Sequence, residues 1–292
     1  MTHDGSAPPA VIPVRAPRRA SPHRPRGFRS PVRTASIILT PVMRLTALCL
    51  LLVAASVAST ATVTEVDSPA SKGSAEPSLA QGADGRVYLS WIEAKRGGTY
   101  VLKFASWEEK AWSEVRTIAE GKDWFVNWAD FPSMAALKDG TLAAHWLQTL
   151  GQGGMAYGVR VACSMDGGMT WGAPFWLHRD ESATEHGFAT LVPLGKRFGA
   201  VWLDGRGMAD GGPMTLRSAT FDADGNLGEE VLVDGRVCEC CCTGAAEVDG
   251  GLCAVWRGRS GEEVRDILFG KSEAGKWATP QAVRDDGWKR PG

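Results

Sequence analysis

The chain has 292 residues, 44% apolar and 22% charged, with a net charge of −1. That composition excludes wholesale disorder and offers no overall basic footprint for nucleic acid. The balance is uneven: residues 1–44 carry eight Arg against one Asp, and the remainder is acidic, with 24 Lys and Arg against 32 Asp and Glu.

Residues 1–42 are rich in Pro, Arg, Ser and Ala without an amphipathic period, so they cannot bury a core. They read as a disordered extension ahead of a true start at Met43. A long Arg-rich leader on a real signal is the alternative. Residues 43–61 have the form of a signal peptide: Met43 and Arg44, an apolar run from Leu45 to Ala58, and small residues before cleavage after Ala58 or Ala61. The run is too short for a comfortable membrane span. The chain is therefore expected to be exported, periplasmic or extracellular, with a linker at 62–75 and a folded part at 76–292.

The folded part repeats. Four segments each combine a turn, an apolar strand and a Trp: ADGRVYLSW, KDGTLAAHW, LGKRFGAVW and VDGGLCAVW, ending at Trp91, Trp146, Trp202 and Trp256. The spacings are 55, 56 and 54 residues. A Ser opening a turn follows each Trp by 15 to 18 residues (Ser106, Ser164, Ser218 and Ser272), often with another Trp beyond it. Each unit reads as four short strands, in the second unit at roughly 131–137, 141–148, 155–163 and 171–177, joined by Asp-Gly turns. No helix is expected after the signal. Four-stranded antiparallel units that cannot cover both their own faces predict an all-β fold, a β-propeller, with the four Trp packing between blades.

Residues Ser164 to Trp171 (SMDGGMTW) fit S-x-D-x-G-x-T-W in full. The Asp caps turn N–H groups, the Gly residues permit positive φ, and the hydroxyls close the hairpin. This resembles the Asp box, or bacterial neuraminidase repeat, of the sialidase superfamily; Ser272 to Trp277 resembles a shortened copy. From about residue 76 onward the chain is similar to exported bacterial sialidase-like proteins. The resemblance is carried by NWADFPS (127–133), EHGF (185–188), GAVWLDGRG (199–207), VCECCCT (237–243) and RGRSGEEVRDI (257–267). It implies that Asp166 is structural and that the propeller has six blades, four of them visible, so that the chain is C-terminally truncated. A true four-bladed propeller is the alternative. Missing blades would leave unpaired edges through which the chain could self-associate.

In a propeller, the starts of innermost strands and the loops joining second to third strands converge on a central funnel. That rule selects Asp130, Glu185, His186 and Asp204 as candidate catalytic groups, and Arg206, Arg257, Arg259 and Arg265 as candidate substrate-binding groups, with Glu93, Gln148 and Glu263 nearby. The resemblance implies an exo-glycosidase of sialidase type, in which arginines clamp the carboxylate of a terminal acidic sugar. The family's Tyr–Glu nucleophile is not legible: Tyr88, Tyr100 and Tyr157 lie in middle strands of the first two units. A salt-bridge network among these charges, and a non-catalytic propeller binding a glycan or protein, stay open. No cofactor is called for, and the partners expected are a glycan or other small acidic ligand, not nucleic acid.

Six cysteines follow the signal, four of them between Cys238 and Cys242. In an exported chain disulfides are the default, and Cys253 on the next strand could reach the cluster. A soft-metal site at Cys238, Cys240 and Cys241 is a rival, although the spacing is no standard zinc pattern and no His is near in sequence. Free structural thiols are the third reading.

Overall fold

The computed structural model describes residues 63–151, 154–285 and 288–289. The extension at 1–42 and the signal peptide at 43–61 lie outside them.

Four antiparallel meanders follow one another along the chain. Blade 1 holds β1 (Ala75–Gln81), β2 (Val87–Lys95) and β3 (Thr99–Glu108). Its outermost strand is interrupted into β4 (Ala111–Trp112) and β5 (Arg116–Gly121), both paired with β3. Blade 2 holds β6 (Met134–Ala136), β7 (Leu142–Thr149), β8 (Tyr157–Ser164) and β9 (Phe175–Trp176). Blade 3 holds β10 (His186–Leu194), β11 (Arg197–Asp204), β12 (Thr215–Phe221) and β13 (Val231–Asp234). Blade 4 holds β14 (Gly244–Val248), β15 (Gly251–Arg257) and β16 (Ile267–Glu273), with an outermost strand again split into β17 (Lys276–Trp277) and β18 (Gln281–Ala282). The fold is an all-β propeller. Among the described residues the single helical piece is the 3-10 turn Met208–Asp210, and no helix is long and apolar enough to cross a membrane.

The turns have local causes. At Asp84-Gly85 and Asp139-Gly140 the Asp side chain accepts the N–H two residues on, at 3.0 Å in both, and the Gly sits at φ 84° and 86°. The Ser164–Trp171 turn closes on Asp166. The hydroxyls of Ser164 and Thr170 donate to its carboxylate at 2.7 and 2.6 Å, and the Thr170 N–H does so at 2.9 Å. These donors hold the Asp166 carboxyl well below the usual carboxylate range.

Proline shortens two expected strands in blade 2. The inner one, expected from 131, begins at Met134, after Pro132; the outer one, expected from 171, begins at Phe175, after Pro174. Proline has no N–H to give to a ladder, so regular pairing starts beyond it.

The repeated Trp residues form the interblade core. Trp91, Trp146, Trp202 and Trp256 are all buried, each on the second strand of its blade. Trp146 packs with Tyr88, Phe104 and Leu142 between blades 1 and 2. Trp202 packs with Leu147, Tyr157 and Phe221 between blades 2 and 3. Trp256 packs with Leu203 and Met214 between blades 3 and 4. Two of the indoles donate to an acid two residues on: Trp91 to Glu93 and Trp202 to Asp204, each at 3.0 Å. Burial of such large side chains contributes roughly 25 cal/mol per Å² of apolar surface removed from water, and it is this term that holds blade to blade.

Candidate functional site

The innermost strands of all four blades border one central cavity of about 320 Å³. Ser78, Met134, Thr190 and Ala245 come from those strands, and Asp130 and Cys242 from the segments leading into them.

Asp130 is placed by its own loop. The Asn127 carboxamide oxygen accepts the N–H groups of Ala129 and Asp130 at 2.8 and 2.9 Å, and its amide donates to the Asp130 carbonyl at 3.3 Å. The turn leaves Trp128 86% exposed while Asp130 is 2% exposed. From the facing blade, β10 supplies an irregularity between Gly187 and Thr190, with Phe188 at φ 50°. That kink aims the Phe188 N–H at Asp130 Oδ2, at 2.7 Å. Gly187 is required here by close approach: a Cβ would stand 2.0 Å from Asp130 Oδ2 and 2.6 Å from Tyr157 Cε2. Thr243 links blade 4 to blade 3 across the cavity wall, donating from Oγ1 to the Phe188 carbonyl at 2.7 Å.

Tyr157 joins two carboxyl groups. Its hydroxyl lies 3.1 Å from Asp130 Oδ2 and 2.8 Å from Glu185 Oε1, and its ring stacks on Phe125 with centroids 4.0 Å apart. Burial pushes Asp130 up to about 7, the Glu185 charge adding to the rise and the Phe188 and Tyr157 donors opposing it. Burial also raises Glu185, against the Tyr157 hydrogen bond. One phenolic proton cannot serve two carboxylates. A protonated Asp130 resolves the count, donating to Tyr157 while Tyr157 donates to Glu185. The arrangement is a short proton chain ending at a half-buried carboxylate, suited to general acid–base work near neutral pH.

His186, Asp204 and Arg206 form a second group. His186 Nε2 is 3.0 Å from Asp180 Oδ2 and 3.8 Å from Asp204 Oδ2, and its ring stacks on His178 at 4.0 Å. Arg206 grips Asp204 through two hydrogen bonds of 2.7 Å and reaches Glu230 at 2.8 Å. Burial raises Asp204, but the donors Arg206 and Trp202 and the charge of His186 outweigh it and hold it below the usual range.

Arg257, Arg259 and Arg265 form a third group beside the cysteine loop. Arg257 donates to the Arg265 carbonyl at 3.1 Å; Arg259 pairs with Glu239 and Glu263; Arg265 pairs with Glu263 at 2.7 Å. Of the candidate catalytic and substrate-binding groups Asp130 alone lines the central cavity; Glu185, His186, Asp204 and the four arginines do not, and three of those arginines are held by carboxylates. Glu93 is likewise engaged: burial raises it, yet Lys103 and Trp91 bring it down to about 2. Gln148, at the end of β7, forms an isolated bridge with Trp124.

Sequence reasoning passed over Tyr157, Trp128, Asp180 and Glu230. Tyr157 carried a usable signal, because it opens the third strand directly after a funnel-side loop. Asp180 and Glu230 carried none, being ordinary loop acids until the chain folds.

No protein-family model matches the sequence, and no curated protein matches it. In shape the chain is similar to solved structures. An alpha-L-arabinanase of Penicillium chrysogenum complexed with arabinobiose has a TM-score of 0.50 at 15% identity, over 75% of this chain and 69% of that one. A protein of unknown function from Dyadobacter fermentans has a TM-score of 0.49 at 17% identity, over 75% and 70%. A Hadza microbial sialidase has a TM-score of 0.47 at 17% identity, over 72% and 45%. At these identities the likeness is one of fold, and the fold is the β-propeller.

Proposed function

We propose that this protein is an exported glycoside hydrolase working at the central cavity, with Asp130, Tyr157 and Glu185 as its proton-handling groups. The observation that carries the reading is the Tyr157 hydroxyl bridging two carboxyl groups, one of which, Asp130, is pushed up to about 7 and lines the cavity that all four blades border. Exposed Trp128, two residues before Asp130 in the chain, offers a flat apolar face of the kind that stacks on a sugar ring. The arabinanase that shares the fold is complexed with arabinobiose, which supports a carbohydrate ligand here. Export rests on the signal-like segment at 43–61.

In the mechanism, Asp130 delivers its proton through Tyr157 toward Glu185, and the Glu185 carboxyl group protonates the glycosidic oxygen as general acid. The anomeric C–O bond breaks as that proton arrives, water adds to the anomeric carbon, and the proton it releases passes to Glu185 and back through Tyr157 to Asp130, restoring the starting state. A sialidase-type preference for terminal acidic sugars would draw on Arg206, Arg257, Arg259 or Arg265, whose charges are largely committed to Asp204, Glu230, Glu239 and Glu263. The geometry therefore favours a neutral sugar over an acidic one.

Near-complete burial of Asp130 and Tyr157, at 2% and 1% exposure, favours a second reading: a binding propeller in which this trio only braces the cavity wall. Turnover of aryl glycosides, arabinan and sialosides by the full chain separates the two. The enzyme reading expects hydrolysis of at least one, lowered about 100-fold or more in Glu185→Gln. Saturable glycan binding without turnover establishes the binding reading instead.

A further inference from the structure

The loop before β14 gathers three sulfurs. Cys238 Sγ lies 3.8 Å from Cys240 Sγ and 3.4 Å from Cys241 Sγ, and the three ligand atoms are all within 4.8 Å of one another. A metal–sulfur bond of about 2.3 Å separates sulfurs around one ion by about 3.8 to 4.0 Å; the Cys238–Cys240 pair matches this, and the Cys238–Cys241 pair is a few tenths of an ångström closer. The loop is pinned for this: the Cys238 N–H donates to the Arg257 carbonyl at 2.9 Å, in line with the Val237–Gly258 bridge. Cys238 is buried, Cys241 half-buried and Cys240 exposed, so the cluster has a closed floor and an open entrance.

We infer that Cys238, Cys240 and Cys241 form a three-thiolate site for a soft monovalent cation, Cu(I). Three donors rather than four decide the ion. Zinc in a structural site takes four ligands, and among the described residues no further His, Cys, Asp or Glu joins this group. Glu239, inside the loop, is held by Arg259. Cys253 sits four residues before Arg257 along β15, about 13 Å from the level of Cys238, and Cys242 turns away to the central cavity, with its Sγ near the Ala129 carbonyl. Soft thiolates with no oxygen or nitrogen donor suit Cu(I), zinc and iron–sulfur centres, and among these a three-donor set fits Cu(I).

Charge points the same way. Three thiolates around one monovalent ion carry a net charge of −2. Arg265 donates from Nη1 to Cys238 Sγ at 3.3 Å and is oriented by the two hydrogen bonds it donates to Glu263, at 3.1 and 2.7 Å. A guanidinium fixed behind a ligating sulfur is the outer partner such an anionic centre needs. Each thiol that ligates releases its proton on loading.

The test is anaerobic titration of the full-length chain with Cu(I), supplied as its acetonitrile complex, against the chromogenic chelator bicinchoninate. One Cu(I) per chain is expected to leave the chelator, and X-ray absorption should show three sulfurs at a single distance of about 2.3 Å. Cys240→Ser, a change at an exposed position, should weaken binding by about 100-fold or more, while Cys253→Ser binds as the parent does. Circular dichroism melting confirms that both variants fold. Four outcomes overturn the site: copper left wholly on the chelator, equal retention by Cys240→Ser, a fixed Cys238–Cys241 disulfide by mass spectrometry, or Zn(II) held without displacement by Cu(I).

Discussion

The hydroxyl of Tyr157 stands 3.1 Å from Asp130 Oδ2, and 2.8 Å from Glu185 Oε1 on its other side. Removing it takes that partner from both acids and leaves the Asp130 carboxyl with the Phe188 N–H alone. Tyr157→Phe is expected to cost about 1 to 3 kcal/mol of stability, since buried acceptors lose their donor. If the proton chain operates, the same variant loses kcat far more than it raises KM. Urea unfolding reads the first effect and steady-state kinetics the second.

The carboxyl of Asp130 makes stability depend on pH in a defined direction. Its folded value, pushed up to about 7, lies above the ordinary 3.8. The folded state therefore keeps a proton that the unfolded state has already released. The contribution of Asp130 is fully present below about pH 4 and is lost as pH rises through about 7, by on the order of 4 kcal/mol at full linkage, while the low-lying carboxyls Asp204, Glu93 and Asp166 act in the opposite direction at acid pH. Asp130→Asn should flatten this part of the curve. The check is the difference in Tm between parent and variant from pH 4 to 8; a constant difference would show that Asp130 titrates normally.

The narrow space around Gly187 is a steric requirement. Gly187→Ala would drive a methyl into Asp130 and Tyr157, which stand 2.0 and 2.6 Å from the Cβ position. Overpacking of this kind costs about 1 to 3 kcal/mol. The expected result is a lower urea midpoint together with loss of the neutral-pH titration, read by the same Tm series.

The exposed indole of Trp128 should matter for ligand and not for folding. At 86% exposure it contributes little to the core. Trp128→Ala is expected to leave Tm unchanged and to weaken binding of a neutral oligosaccharide about tenfold, equivalent to about 1.4 kcal/mol. Calorimetric titration measures this; unchanged affinity would remove Trp128 from the site.

The guanidinium of Arg206 is a brace in this geometry. It is the bidentate partner of Asp204, whose side chain is fully buried. Arg206→Ala removes that bidentate partner, leaving Trp202 as a donor and His186 and Arg217 at 3.8 Å, and should cost about 1 to 3 kcal/mol by urea unfolding. A variant that unfolds like the parent but loses affinity for sialosides would instead restore Arg206 to a clamp for an acidic sugar.

Much of the fold was legible in the residues. The period of about 55, the Asp-Gly turns, the Ser164–Trp171 turn and the Trp on each second strand all encode local geometry, which depends on neighbours a few positions away. The strand boundaries slipped most where Pro132 and Pro174 delayed pairing, and by one or two residues at β7 and β8. The candidate site was legible in part. Asp130, Glu185, His186 and Asp204 were picked out by position in the repeat, and Tyr157 was set aside although it follows a funnel-side loop.

What the sequence determined by itself is the repeating antiparallel unit, because alternation, turn chemistry and Trp placement are local and periodic. What only tertiary structure decided is which charges meet. Arg206 finds Glu230 across 24 residues and Tyr157 finds Asp130 across 27. Blade packing closes both distances, and electrostatic partners are chosen by proximity in space under burial, which no spacing along the chain records.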